Sequence, residues 1–462
     1  MPTATALSTR AARASEAQAA AAAARRGWNQ ASELPSPNPS YDSAFGYSVA
    51  VSGDTMVVGS QGANNDNGAA YVFTGSGSSW TYATTLSPAG VTLNDCLSTS
   101  NVCEEFGASV AITSGTIVVG AFGAGANDGA AFVYAGSGSS WTQQAVISDP
   151  GQTANDDFGI AVAISSSSTI MVGAFGENSY DGAVYVYNKG GSGWPTSPSD
   201  TLTAPGPEGA PGYGELFGLS LAVSSTTMVI GAPGDPGATS PVPANCNATA
   251  SAGCATGAAY VYKEVRGDWI EQAKLTASNG EGCDMTCSDG ADSMGGDYFG
   301  WSVAIQGKRV AVGAPWATAP SPPSSTGPEP DGSYTSYAPD CTGTVYAFTG
   351  SGASWAQKDE LYDPAEVTNG GSDWFGYNVA LLGKSIVATA PYDGPNAAGS
   401  AYVFLGESGT WATYPTQLTA SNGAGNVNFG YGSPALATIG SKYVAVGAPY
   451  FSGEQAVYIF HD

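Results

Sequence analysis

Histidine is almost missing from this sequence: one residue, His461, stands in a chain of 462. That scarcity argues against Ser-His-Asp and Cys-His catalysis, in which a histidine must take up and return a proton. Basic residues are also few, 13 against 38 acids, for a formal net charge of −25. With no basic stripe to neutralise phosphates, nucleic acid is not expected as a partner. Anionic membrane surfaces are disfavoured for the same reason. Cations and basic protein patches are what such a charge attracts, although acidity also keeps a secreted protein in solution. No run of about 18 apolar residues occurs, so no membrane-spanning helix is expected.

Cysteine is sparse and clustered. Cys96 and Cys103 form one close pair, Cys246 and Cys254 a second, and Cys283 and Cys287 a third, while Cys341 stands alone. Such pairs inside loops read as local disulfides, which implies an oxidising compartment and a secreted or cell-surface protein. Zinc is the rival reading, but no second CxxC and no further histidine accompany them. Asn247-Ala248-Thr249 is a glycosylation sequon. Residues 1–27 are rich in Ala and Arg, contain one acid, and lack the apolar core of a secretory signal. They are expected to be disordered or a targeting remnant, ahead of one domain over residues 28–462.

Glycine is abundant, at 64 residues, alongside Val, Tyr, Thr and Phe, a balance suited to short strands and tight turns. A Phe-Gly pair recurs at Phe45, Phe106, Phe158, Phe217, Phe299, Phe375 and Phe429. Four elements follow each pair in order. First comes an apolar run such as Phe45-Gly46-Tyr47-Ser48-Val49-Ala50-Val51. Then a run ends in Gly, as at Gly59, Gly120, Gly173, Gly231, Gly313 and Gly447, with Thr389 in the sixth copy. The third run carries one aromatic at a fixed place: Tyr71, Phe132, Tyr185, Tyr260, Tyr346, Tyr402 and Tyr458. The fourth opens with Trp and reaches Leu or Ile six to eight residues on, as in Trp80…Leu86. Each run has strand length and strand chemistry. Four strands per repeat, arranged radially, make a propeller blade. The expected fold is therefore all-β, a seven-bladed β-propeller of four-stranded blades. The seventh copy ends after its third run, and Trp28…Leu34 has the spacing of the missing fourth. The N-terminal strand over residues 28–34 is thus expected to complete the last blade and close the ring.

These residues resemble the FG-GAP repeat, the unit of the integrin α-subunit N-terminal propeller. The Gly-Ala-Pro half stands at Gly231-Ala232-Pro233, Gly313-Ala314-Pro315 and Gly447-Ala448-Pro449, with variants elsewhere. The resemblance implies a binding or adhesion role. It does not bring calcium with it. Integrin blades hold calcium in DxDxDG loops between the first two strands, whereas here that connection is a short turn such as Ser52-Gly53-Asp54, without spaced carboxylates. No cofactor is expected, with calcium left open although the integrin-type loops are absent, and the chain looks like the short-loop variety of the family.

Strand alternation puts the 2–3 and 4–1 connections on one face. That face holds the long insertions (88–105, 234–256, 277–297 and 315–342), all seven cysteines and the sequon. Aromatics follow the second strand at Phe122, Phe175, Trp316, Tyr392 and Tyr450. Acids precede the Phe-Gly pair at Asp42, Glu105, Asp157, Glu215, Asp297 and Asp373. Together they suggest an aromatic cup with an acidic rim, suited to a protruding Arg or Lys. Integrin α propellers use such a cup to hold the β subunit. The same residues also suit plain packing of blade tops and turn hydrogen bonding. Arg266-Gly267-Asp268 spells a tripeptide that integrins recognise, at a place where turn chemistry also accounts for it.

The expected function is an extracellular or cell-surface module that binds a protein partner through this face, not an enzyme. A glycan-binding propeller is the alternative. A carboxylate-dependent glycosidase is a weaker third, since no spacing selects a pair of acids.

Overall fold

The structure is a computed structural model. It describes residues 27–39, 43–89, 105–124, 128–151, 155–165, 169–205, 214–236, 256–279, 296–317, 342–363, 373–394, 397–407, 410–411, 415–421, 428–450 and 455–462. Residues 1–26, Asp42 and most of the long insertions lie outside the described residues. So do all seven cysteines: Cys96, Cys103, Cys246, Cys254, Cys283, Cys287 and Cys341. The three expected disulfides, Cys96 with Cys103, Cys246 with Cys254 and Cys283 with Cys287, therefore fall outside them too, as does the sequon at Asn247.

Seven four-stranded antiparallel sheets form the blades. In blade one the strands are Phe45–Ser52, Thr55–Ser60, Ala69–Ser76 and Ser79–Leu86, each paired to the next. The second strand, TMVVGS, is buried at every position. Strict alternation is lost because each blade is sandwiched between two others and must be apolar on both faces. The core is accordingly seven clusters, each shared by two neighbouring blades. Between blades one and two, Val57, Val72 and Leu86 pack on Val110, Val119 and Phe132.

The Phe of each Phe-Gly pair is fully buried. Its ring meets the fixed aromatic of the third strand, with centroids 5.3–5.7 Å apart in all seven blades. Such contacts add about 0.5–1.5 kcal/mol each beyond the area they bury. This pairing explains why both columns of the repeat are aromatic.

The second-strand glycine answers a different demand. Its Cα faces the carbonyl of the Phe-Gly glycine in the next blade. A β-carbon on Gly59, Gly120, Gly173, Gly231, Gly313 or Gly447 would lie 1.9–2.1 Å from that oxygen. Only glycine lets the backbones approach so closely. Beside this contact, Ser48, Ser109, Ser220 and Ser302 each donate Oγ–H to the same carbonyls across the blade boundary, at 2.8 Å. Blade six departs in sequence and compensates in structure. Thr389 replaces the glycine, and its hydroxyl donates to Gly430 O at 3.0 Å while Asn378 Nδ2–H donates to the same oxygen at 2.9 Å.

The ring closes through the N-terminal strand, Asn29–Pro35, one residue displaced from the expected 28–34. It pairs antiparallel with Ala456–His461, with Leu34 opposite Val457 and a register shift between Gln30 and Ser32. Trp28, just ahead of the strand, is buried among blades six and seven.

Two outcomes follow for stability. Gly120→Ala should cost about 3 kcal/mol, because the new methyl overlaps a backbone oxygen that cannot move without shifting the next blade; a lower Tm in thermal unfolding checks it. Deleting residues 28–35 should lower Tm further and produce concentration-dependent association in light scattering, since the Ala456–His461 strand becomes an open edge.

Candidate functional site

Every Phe-Gly pair is the centre of a tight turn. The N–H of the residue after Gly donates to the carbonyl of the residue before Phe, at 2.9–3.2 Å in all seven blades. The glycines have φ of 84–100°, as the third place of a type II turn requires. The residue before Phe is also left-handed in every blade: Ala44, Glu105, Asp157, Leu216, Tyr298, Trp374 and Asn428 have φ of 46–57°. For side chains such as Leu, Tyr and Trp this conformation costs about 1–2 kcal/mol each. The two ends of the turn thereby present paired side chains on the face of the 2–3 and 4–1 connections.

In blades five and six both ends are aromatic. Tyr298 and Trp301 flank one pair, Trp374 and Tyr377 the next; the latter two rings stack at 5.9 Å with planes 18° apart. Tyr431 and Tyr47 continue the row in blades seven and one. Trp316, Tyr392 and Tyr450, from the 2–3 turns, fill the gaps. The result is one continuous cluster of nine rings: Trp316 touches Tyr298, Trp301 and Trp374, Trp374 meets Tyr392 at 4.3 Å, Tyr377 stacks on Tyr431 at 5.0 Å, and Tyr431 reaches Tyr450 and Tyr47. Tyr450 is 43% exposed, and Trp301, Trp316, Trp374, Tyr392 and Tyr431 are half-buried. Beside the cluster a cavity of about 260 Å³ is lined by Tyr47, Ile160, Leu219, Trp301 and Tyr377, with Phe175 and the inner strands forming its remaining wall.

Of the aromatics expected on this face, Trp316, Tyr392 and Tyr450 come together and Phe122 and Phe175 do not join them. The reason is one residue of spacing. The first three follow a Pro, whereas Phe122 and Phe175 occupy the Pro place itself. Phe175 pairs with Tyr180 instead, at 6.2 Å. Six members of the cluster, Tyr47, Tyr298, Trp301, Trp374, Tyr377 and Tyr431, are absent from the sequence expectation. The signal is present in the residues flanking Phe-Gly, but in an apolar run they read as strand core.

The repeated turns also carry the comparison with known proteins. The FG-GAP repeat family matches the chain five times, at residues 28–73, 101–134, 141–187, 285–327 and 369–404. The chain carries FG-GAP repeats. At the level of a seven-bladed ring built from this unit, the likeness to integrin α propellers holds. No curated protein matches the chain.

The acids of the FG-GAP turns do not form a uniform rim. Glu215, Asp297 and Asp373, two places before Phe, are buried at blade junctions. Glu105 and Asp157, one place before Phe, are half-buried and lie on the far side of the axis from the Trp-rich blades. Glu105 Oε2 and Glu215 Oε2 are buried with no hydrogen-bond partner among the described residues. Burial first, then Asp66 and Asp157, pushes Glu105 up to about 7. Burial first, then Asp235, with Lys274 opposing and Asp181 adding, pushes Glu215 up to about 7. Burial likewise holds Tyr47 and Tyr377 above the usual tyrosine range, so both stay neutral hydrogen-bond donors at ordinary pH. On the opposite face, Arg266 and Gly267 (φ 60° and 99°) form the two-residue turn between Val265 and Asp268, so turn geometry accounts for that tripeptide.

The two raised glutamates set a pH dependence. Each binds its proton more tightly folded than unfolded, so each adds stability that is full below the ordinary 4.5 and lost as pH rises through about 7. Replacing both, Glu105→Gln with Glu215→Gln, should therefore flatten the fall of Tm across that window, measured by calorimetry against the parent.

Proposed function

We propose that this propeller is an extracellular binding module, not an enzyme, and that it holds a protein partner through a basic side chain seated in the aromatic cup. The observation that carries the reading is the unbroken row of nine rings on one face, two of them, Tyr298 and Trp374, held in a strained left-handed backbone conformation. Strain repeated at one face, beneath rings that are mostly half-buried, favours recognition over packing. Trp and Tyr faces attract an Arg or Lys through the ring quadrupole. The chain's net charge of −25 adds long-range attraction for a basic partner. The neighbouring cavity has room for one side chain rather than a drug-sized ligand. The close spacing of Cys96 with Cys103, Cys246 with Cys254 and Cys283 with Cys287, and the sequon at Asn247, support an extracellular setting. The same rings suit stacking on a sugar, so a lectin-like role is the second reading.

The test presents the full chain to an array of Arg- and Lys-containing peptides and to a glycan array, with Trp374→Ala and Tyr431→Ala alongside. Peptide binding that weakens with salt and falls roughly tenfold in either variant, as loss of a central aromatic anchor does, supports the proposal. Peptide binding unchanged in both variants overturns it. Binding confined to glycans and lost in the variants transfers the site to the second reading.

A further inference from the structure

Two blade junctions carry a second constellation, separate from the cup's rings. Between blades two and three, Asp149, Asp156 and Glu177 bring carboxylate oxygens within 4.8 Å of one another; between blades five and six, Asp363, Asp373 and Asp393 do the same. The two triads occupy the same repeat positions. The first acid stands two residues after the Ile or Leu that ends the fourth strand. The second stands two before the Phe of Phe-Gly. The third stands four after Gly173 or Thr389. In both, the fixed tyrosine of the third strand donates to the third acid: Tyr185 to Glu177 Oε2 at 3.0 Å, and Tyr402 to Asp393 Oδ2 at 2.6 Å. In the second triad Tyr402 also donates to Asp363 Oδ2, and Gln417 Nε2–H donates to Asp393 Oδ2 at 3.0 Å, so its own neighbours satisfy it.

Clustered acids alone do not make a site. Here Asp156 is 3% exposed, and its Oδ2 has no hydrogen-bond donor among the described residues. That oxygen is aimed into the cluster. Asp149 Oδ2, Asp156 Oδ2 and Glu177 Oε2 lie 3.3, 3.5 and 3.5 Å from one point, where a β-carbon on Gly151 would be.

The junction of blades three and four is an internal control. Asp235 and Glu215 hold the third and second acid positions, but Ala204 stands at the first. There Lys274 Nζ lies 2.7 Å from Asp235 Oδ1. Lys274 pairs across the sheet with Tyr260; the same register place opposite Tyr185 and Tyr402 holds the neutral Thr201 and Gln417. Where the third carboxylate is missing, the fold supplies its own ammonium. Where all three are present, this position offers no charge.

We propose that the triad Asp149, Asp156 and Glu177, at the junction of blades two and three, binds a calcium ion. Three carboxylates suit calcium, which takes about 6–8 oxygens at about 2.3–2.6 Å, better than magnesium, which uses one or two carboxylates in a tight octahedron. Oxygens within 4.8 Å of one another can share an ion at calcium distances. The site is on the face of the cup, not in the 1–2 turns on the other side.

Equilibrium dialysis of the chelator-treated full chain against calcium tests the assignment, with Tm as a fold check. The expected result is one ion per chain and none in Asp156→Asn. Thr201→Lys, which copies Lys274, should also remove the ion while raising Tm in the absence of calcium; it decides the matter should the Asn variant fail to fold. No binding by the parent at millimolar calcium, or the ion retained in Thr201→Lys and in folded Asp156→Asn, would overturn it.

Discussion

The closeness of one backbone to the next governs this ring. In six blades a second-strand glycine faces the Phe-Gly carbonyl of the following blade at a distance no side chain could share. That approach lets serine hydroxyls bridge the boundary and brings the two apolar faces into contact, so hydrophobic burial becomes a property of the junction, not of the blade. A single blade has no core of its own. Stability must then pass around the ring from neighbour to neighbour, and closure by Asn29–Pro35 matters because it removes the last open edge. Thr389 shows that the requirement is for the contact and not for glycine as such: a larger residue is accepted where its hydroxyl and Asn378 bond to the facing carbonyl.

The same turn that makes this packing possible also builds the surface above it. A type II turn centred on Phe-Gly buries the Phe against the third-strand aromatic and sets its two end residues at this face. Seven copies give seven such pairs, and the chemistry of the face depends on what stands there. Blades five, six and seven use rings; blades two and three use Glu105 and Asp157. The face is therefore asymmetric in charge although the scaffold beneath is nearly symmetric. Cup and carboxylate triads use adjacent positions of one repeat: Trp374 stands beside Asp373, and Tyr392 beside Asp393.

Much of this was present in the chain's periodicity. Four strands per repeat, seven repeats and the completing N-terminal strand all follow from spacing, because a blade's strands must be short, β-rich and separated by turn residues. The ring contact between Phe and the third-strand aromatic was visible as two invariant columns. The cup was only half visible. Trp316, Tyr392 and Tyr450 stood out because they follow Gly-Ala-Pro or its variant, but Phe122 and Phe175, one residue earlier, pointed elsewhere. Tyr47, Trp301, Tyr377 and Tyr431 lay hidden in apolar runs, since hydrophobicity does not distinguish a strand residue from the last residue of a turn.

Sequence alone determined the fold, because a propeller is a local unit repeated and each unit announces its own strands and turns. What only the tertiary structure decided is which residues meet across blades. Asp149, Asp156 and Glu177 belong to two different blades, and Asp363, Asp373 and Asp393 likewise. No local pattern joins them, because the contact is made by the twist and closure of the ring, which places the end of one blade's fourth strand beside the second-strand turn of the next.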